Sequence, residues 1–362
     1  MSTMGRTLMI MAGGTGGHIY PGISVGDYLR DKGWRIVWLG ARTGMEARIV
    51  PPKGYVMAWI RFSGLRGKGL LRLLMLPVNL LIACWQSAAA IRTHQPHVVL
   101  GMGGYVAFPG GLMAALLRRP LVIHEQNSVA GLTNSVLARL ADRALTAFPK
   151  PFKNNDLGDF VGNPVRTDIS AIREPSARYT ARGDRQLRLL VLGGSQGAAV
   201  LNDTVPRALQ LLPEAMRPAV THQSGAAHID ALRAAYAAAD VTAEALPFVD
   251  DMAARYAAAD LVICRAGAST VTELAAAGVA SLLVPFPFAV DDHQTTNARY
   301  LVERGAALLI PQQDFTAEKL AELLQSLTRD KLAGMAIAAR AAAKPDATRD
   351  VAHICMELAR AA

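Results

Sequence analysis

The chain has 362 residues, enough for two domains of ordinary size, and 51% of them are apolar, which excludes a disordered chain. Three scattered cysteines, Cys84, Cys264 and Cys355, form no CxxC pair and read as reduced thiols in a cytosolic setting. The net charge of +9 is one-sided: residues 1–165 carry 18 Lys/Arg against 7 Asp/Glu, and residues 166–362 carry 20 against 22. A cationic half suits nucleic acid, an anionic membrane or a phosphate-bearing substrate, and charge alone does not choose among them.

In chain order, the first element is an apolar strand at 7–12 that runs into GGTGGH at 13–18. It lacks the basic head and long apolar stretch of a signal peptide and reads as the first strand of a fold. Apolar runs at 34–39, 98–101, 121–124 and 144–146 follow, alternating with helical patterns. Residues 69–85 are very apolar, but Arg72, Pro77 and Asn79 interrupt them. The content is poor for a membrane span and predicts a buried or surface-lying helix pair. Gly and Pro break the pattern at GNPVR, 162–166, where the seam between domains is expected.

The design then repeats about 180 residues on. A strand at 187–192 runs into GGSQGA at 193–198, and further runs follow at 219–223, 261–264, 281–284 and 307–310. Alternation of this kind predicts an α/β fold of two doubly wound parallel sheets, one per half. The expected domains are 1–165 and 166–347, with a final helix at 348–362 returning to the first.

Parallel sheets bind ligands beyond the carboxyl ends of their strands, where helix N-termini offer free N–H groups to phosphate. Three glycine-rich loops lie at such places: 13–18, 101–110 and 193–198. Each alone fits a tight turn without a ligand; three together point to diphosphates. Neither strand–loop pair completes the dinucleotide fingerprint and no GxxxxGK[ST] occurs, which argues against a dehydrogenase and a P-loop nucleotidase.

His18 closes the first loop at a helix start, a position that favours the neutral imidazole of a general base; capping or packing of the turn is the plain alternative. His124 and Glu125 end a strand on the same rim, and Asn127 either meets sugar hydroxyls or caps the next helix. Thr270 and Glu273 have capping-box spacing, while the same Glu273 suits a ribose. Asp291, Asp292 and His293 match no metal-ligand spacing, so no metal is expected.

GGTGGH at 13–18, GMGGY at 101–105, HEQN at 124–127, GNPVR at 162–166, GGSQG at 193–197, RAGAST at 265–270 and DHQTTN at 292–297 stand in the order of the MurG family, and the chain resembles that family over nearly its whole length. The resemblance implies the GT-B fold, two Rossmann-like lobes facing a central cleft. It implies inverting transfer of N-acetylglucosamine from UDP-N-acetylglucosamine to the 4-hydroxyl of the muramoyl group of undecaprenyl-linked lipid I, giving lipid II, with no cofactor. For the donor it implies Thr15, Gly16, Gly17, Asn127, Arg166, Ser195, Val249, Ala268, Ser269, Thr270, Val271, Thr272, Glu273 and Gln294. For the acceptor it implies Gly14, Gly103, Gly104, Tyr105, His124 and Glu125, with His18 as base.

The basic, apolar segment then reads as a peripheral contact with the anionic cytoplasmic face of a bacterial inner membrane, through Arg66, Lys68, Leu70, Leu71, Arg72, Leu74 and Met75. Nucleic acid is not expected as a partner, for no aromatic stacking face is evident; cell-wall synthesis proteins are. The rival readings are a UDP-N-acetylglucosamine 2-epimerase of the same fold, a transferase for another lipid-linked acceptor, and a non-enzymatic basic binder. The last leaves the glycine loops and His18 without a use.

Overall fold

A computed structural model describes residues 5–62, 75–153, 157–183, 185–194 and 197–361. The chain divides into two compact units, residues 1–166 with 344–362, and residues 167–343.

In the first unit seven parallel strands lie in the order β3-β2-β1-β4-β5-β6-β7. They are β1 (Thr7–Ala12), β2 (Arg35–Ala41), β3 (Val56–Ile60), β4 (Val98–Gly103), β5 (Leu121–Glu125), β6 (Arg143–Thr146) and β7 (Asp159–Phe160). Side chains alternate across a strand, so one apolar run can feed two cores. Leu8, Ile10 and Ala12 enter one core with Ile36, Trp38, Val98 and Leu100, and Met9 and Met11 enter the other with Val37, Leu39 and Val99. The helix Ala347–Ala361 closes the first of these cores with Val351, Ala352, Cys355 and Ala359.

In the second unit six parallel strands lie in the order β10-β9-β8-β11-β12-β13. They are β8 (Arg188–Leu192), β9 (Ala219–Gln223), β10 (Ala243–Leu246), β11 (Leu261–Cys264), β12 (Ala280–Leu283) and β13 (Ala307–Leu309). Two central strands are pinned at their N-terminal ends by Asp260, which is 1% exposed. It pairs with Arg182 and Arg329 and accepts from the Arg188 N–H at 2.8 Å. A buried carboxylate with this many donors is tolerated; removing its partners costs about 3–5 kcal/mol.

Both sheets reverse their strand order once, between β1 and β4 and between β8 and β11. Such a switch point is where adjacent loops diverge and a ligand can enter. The loops after β1, β4, β8 and β11 are the glycine loops and the RAGAST segment. Three strands, β3, β7 and β10, lie outside the sequence expectations and sit at sheet edges or on the rim.

Candidate functional site

At the first switch point, β1 passes through Gly13, Gly14 (φ +90°) and Thr15 into the helix Gly16–Arg30. β4 ends in Gly103 and Gly104, both left-handed with φ +94° and +82°. A φ near +90° favours glycine at both positions, and a Cβ on Gly104 would collide with the Gly13 carbonyl. The two loops therefore close on each other backbone to backbone. The β1–β4 register also slips at this end, Met11 facing Gly101 and Ala12 facing Gly103, which leaves Met102 unpaired. A bulge of this sort re-aims backbone groups.

The Met102 carbonyl meets His18 Nδ1 at 3.0 Å, and Gln126 Oε1 lies 3.1 Å from the same nitrogen. A carbonyl only accepts, so Nδ1 carries the hydrogen and the lone pair of the neutral ring is on Nε2. That is the tautomer a proton acceptor needs, with a second group fixing the ring, the geometry of an oriented base. Gln126 is 1% exposed. His18 thus packs into the turn and presents a basic nitrogen at once, and the two sequence readings of it are compatible.

His124 and Glu125 stand differently from the expectation of acceptor contacts. His124 is fully buried, its Nε2–H donating to Gly162 O at 2.8 Å, and burial pushes its pKa down to about 4. Glu125 accepts from the Asn127 N–H at 2.9 Å and from Asn134 Nδ2 at 2.9 Å, with the Gly131 N–H at 3.3 Å. Both are enclosed: Glu125 braces the loop after β5, and His124 ties the end of that strand to Gly162. Asn127 is no helix cap, since the following helix, Leu132–Leu137, has Gly131 at its N-cap. The Gly14 N–H is likewise engaged, donating to Glu46 Oε2 at 3.1 Å, and the Tyr105 hydroxyl lies 3.4 Å from Glu46 Oε1. Burial, then Glu46, raises the Tyr105 pKa to about 12.

At the second switch point, Gly194 and Gly197 take φ +81° and +79°, and a Cβ on Gly197 would collide with the Ser224 carbonyl. Ser195 lies outside the described residues. The helix Ala199–Gln210 follows, and after β11 the helix Ala268–Ala277. Neither has a side-chain cap or an acid in its first turn, and the same holds for Gly16–Arg30. By contrast Asp251, Thr316 and Thr328 cap the helices Met252–Ala258, Ala317–Ser326 and Arg329–Ala341. Without a side-chain cap or a first-turn acid, the start of each of these helices turns the positive end of its dipole toward an anion.

The capping-box reading of Thr270 and Glu273 fails, because the helix begins two residues earlier with Gly267 as N-cap. Glu273 instead lies within the helix, accepting from the Tyr256 hydroxyl at 3.2 Å. Val271 is a correction too: its side chain is fully buried and its N–H bonds Gly267 O at 2.9 Å, so neither is presented to a ligand. Thr272 bonds the Ala268 and Ser269 carbonyls at 3.0 Å each. Gln294 Oε1 accepts from Ala266 N at 3.2 Å and Phe286 N at 2.9 Å, joining two loops. Arg265 is braced by the Val284 and Pro285 carbonyls and by Gln312, and stacks over Phe286. Val249 buries its side chain, and among the described residues its backbone N–H and C=O make no hydrogen bond. Arg166 ends the first unit, half-buried. No group of metal-binding side chains occurs among the described residues.

One apolar surface stands apart. The helix Leu76–His94 buries Ala83, Ser87, Ala88 and Ile91 and exposes Val78, Leu81, Ile82 and Trp85 at helical spacing, with Leu81 and Trp85 about 70% exposed. Met75, 46% exposed, precedes them; Arg66, Lys68, Leu70, Leu71, Arg72 and Leu74 lie outside the described residues. Leu116, Leu132, Val136 and Leu140 are also exposed, with Arg118 and Arg139 between them in sequence. No described helix is long and apolar enough to cross a membrane.

Glu46 and Gln126 are the residues sequence reasoning missed. Gln126 stood inside a quoted motif without a role. Glu46 had one available signal, an acid just past β2 between glycines in a half that holds few acids.

The chain matches the glycosyltransferase family 28 N-terminal domain over residues 8–146 and the family 28 C-terminal domain over residues 188–352. It is 61% identical over 355 residues to a protein of Cupriavidus necator named UDP-N-acetylglucosamine–N-acetylmuramyl-(pentapeptide) pyrophosphoryl-undecaprenol N-acetylglucosamine transferase, covering 98% of this chain and 99% of that protein. A protein of the same name from Aromatoleum aromaticum is 63% identical, with 98% of each covered. The crystal structure of Acinetobacter baumannii MurG superimposes with a TM-score of 0.84 at 41% identity, covering 97% of this chain and 99% of that one.

Proposed function

The chain belongs to the MurG family of family 28 glycosyltransferases, enzymes of peptidoglycan synthesis that transfer N-acetylglucosamine from UDP-N-acetylglucosamine to lipid I, and from that premise we propose how its residues perform the transfer. The second unit takes the donor. The open N-termini of Ala199–Gln210 and Ala268–Ala277 meet the diphosphate, with Ser195, Arg166, Ala268, Ser269, Thr270 and Thr272 around it. Val249 reads the uracil with its unpaired backbone groups, Glu273 holds the ribose, and Gln294 turns its amide nitrogen to the sugar. Thr15, Gly16, Gly17 and Asn127 are assigned to the same sugar.

The first unit takes the acceptor, with Gly103, Gly104 and Tyr105 shaping the loop beside His18. His124 and Glu125 act as positioning residues, His124 through Gly162 and Glu125 through the loop after β5. In the reaction the acceptor's 4-oxygen bonds to the anomeric carbon as the bond from that carbon to the UDP oxygen breaks. The hydroxyl proton passes to His18 Nε2, and the charge arriving on UDP is stabilised by the helix N-termini. The product is inverted, because one displacement occurs and no covalent intermediate forms.

The observation that carries this reading is the fixed tautomer of His18, whose Nδ1–H is held by Met102 O and whose Nε2 is left basic. His18→Ala is expected to lower kcat by about 10²–10⁴-fold, the range of a general base, with UDP affinity unchanged in equilibrium titration. Near-normal kcat would remove His18 from the chemistry.

The exposed apolar face of Leu76–His94, in the half with the cationic surplus, is assigned to the cytoplasmic leaflet, where the lipid acceptor is anchored. Apolar insertion and attraction of cations to anionic lipid together give a reversible, peripheral contact.

A further inference from the structure

Glu46 is the first residue of the short helix Glu46–Ile49 after β2, and it is fully buried. Its carboxylate accepts from three parts of the unit: Ala41 N–H at 3.0 Å on Oε1, Gly14 N–H at 3.1 Å on Oε2, and the Tyr105 hydroxyl at 3.4 Å on Oε1. These belong to the end of β2, the loop after β1 and the loop after β4. Three glycines make the room. A Cβ on Gly13 would stand 2.6 Å from Oε1, one on Gly40 2.8 Å from Cγ, and one on Gly44 would collide with the carboxylate itself. The Tyr105 ring in turn lies under Gly14, 3.3 Å from where its Cβ would be.

A buried carboxylate is costly unless its acceptor capacity is filled, and here the donors that fill it come from three separate segments, two of them the glycine loops beside His18. We propose that Glu46 is a positioning residue for the transfer, a built-in anion that fixes the Gly13–Gly14 peptide and Tyr105 and so sets the loop that carries His18. It follows that the Gly14 amide serves Glu46 and not the acceptor's diphosphate. The loop after β8 has no such described partner; its contacts are with Gln223 and Ser224. The proposal rests on the assignment of the first unit to the acceptor.

The test is Glu46→Gln. The amide keeps the shape, but in either orientation its NH2 faces a backbone N–H, Ala41's or Gly14's. Initial rates are measured against a soluble lipid I analogue and against UDP-N-acetylglucosamine, with UDP affinity by titration and a thermal melt. The expected result is a folded protein whose kcat/KM for the acceptor falls about tenfold or more, as a misplacement of about 1 Å or less near the chemistry would give. UDP affinity, assigned to the second unit, should stay within about twofold, while donor KM can rise with the acceptor effect because Thr15, Gly16 and Gly17 of the same loop are assigned to the donor sugar. Glu46→Asp, which keeps the charge one methylene short, should recover part of the loss. Wild-type acceptor kinetics in folded Glu46→Gln would overturn the proposal, as would a parallel loss of UDP affinity, which marks a merely structural residue. A change in donor KM alone would instead overturn the acceptor assignment on which it rests. Should Glu46→Gln fail to fold, Glu46→Asp carries the same comparison, and wild-type acceptor kinetics in it are equally decisive.

Discussion

His18 shows how far a residue type at a spacing can be read. The position at a helix start was legible in GGTGGH, and so was its suitability for base chemistry. What the sequence leaves open is the tautomer, because that depends on Met102 O, 84 residues away, and Gln126, 108 residues away. The bulge that aims Met102 leaves no signature in a run of small and apolar residues. A prediction follows for Gln126. Gln126→Leu removes one of two acceptors for Nδ1–H and should lower kcat about tenfold, a loss comparable to one hydrogen bond to a group that becomes charged. Gln126→Glu puts a buried carboxylate against the same N–H and favours the protonated ring, so the acid limb of the kcat profile should move to higher pH. His124, which senses the charge on His18, is itself held neutral by burial. A kcat–pH profile unchanged in both variants would show that Gln126 does not act on His18.

Elements were more legible than their ends. Strands β1 and β11 match the apolar runs that announce them, because both faces of a central parallel strand are buried and no polar alternation blurs the run. β3, β7 and β10 carry mixed burial at the sheet margins, and their patterns are correspondingly weak. At the start of the helix Ala268–Ala277 the structure removes one of the two readings that the sequence leaves open. Thr270 and Glu273 have the spacing of a cap, yet Gly267 takes the cap position and leaves the N-terminus without a side chain on it. A bound anion can use what a capping box would have closed. The helix Leu76–His94 was expected as buried or surface-lying, and its exposed Val78, Leu81, Ile82 and Trp85 define which face is which. Changing Trp85 and Leu81 to Glu replaces two exposed side chains, so thermal stability should change little. Co-sedimentation with vesicles rich in anionic lipid should be largely lost: at roughly 1.5–3 kcal/mol of apolar insertion per side chain, the two changes lower the partition coefficient about 100-fold or more. Undiminished sedimentation would assign this face to something other than a membrane.

At the scale of the whole molecule, the repeat seen in the sequence is a repeated topology. Each unit reverses strand order between its first and fourth strands, and each carries its chemistry-bearing loops there. The two copies differ in what fills the loops. One holds Glu46, Tyr105 and His18, and the other holds uncapped helix starts with Gln294 and Glu273 close behind. The imbalance of charge was legible from composition; the burial of Glu46 in the cationic half was not, since counting cannot separate a surface acid from an enclosed one. Acid stability should also belong to both units. Burial pushes His124 down to about 4 and His222 down to about 3, against about 6.5 when unfolded. Below pH 6.5 the unfolded chain therefore binds more protons, and stability falls as pH drops toward 4, with no contribution from these groups above 6.5. Melts at pH 7 and 5 should show the fall, and His222→Gln should flatten it; a melt insensitive to that change would contradict the assignment.

The central claim is a transfer from UDP-N-acetylglucosamine to a lipid-linked muramoyl acceptor, with the acceptor required for turnover. The most direct measurement is UDP release with a soluble lipid I analogue, comparing UDP-N-acetylglucosamine, UDP-N-acetylgalactosamine and UDP-glucose. Release that needs the acceptor and is fastest by far with UDP-N-acetylglucosamine is the predicted result. Tight UDP binding without acceptor-dependent release, or equal release from all three donors, would contradict it.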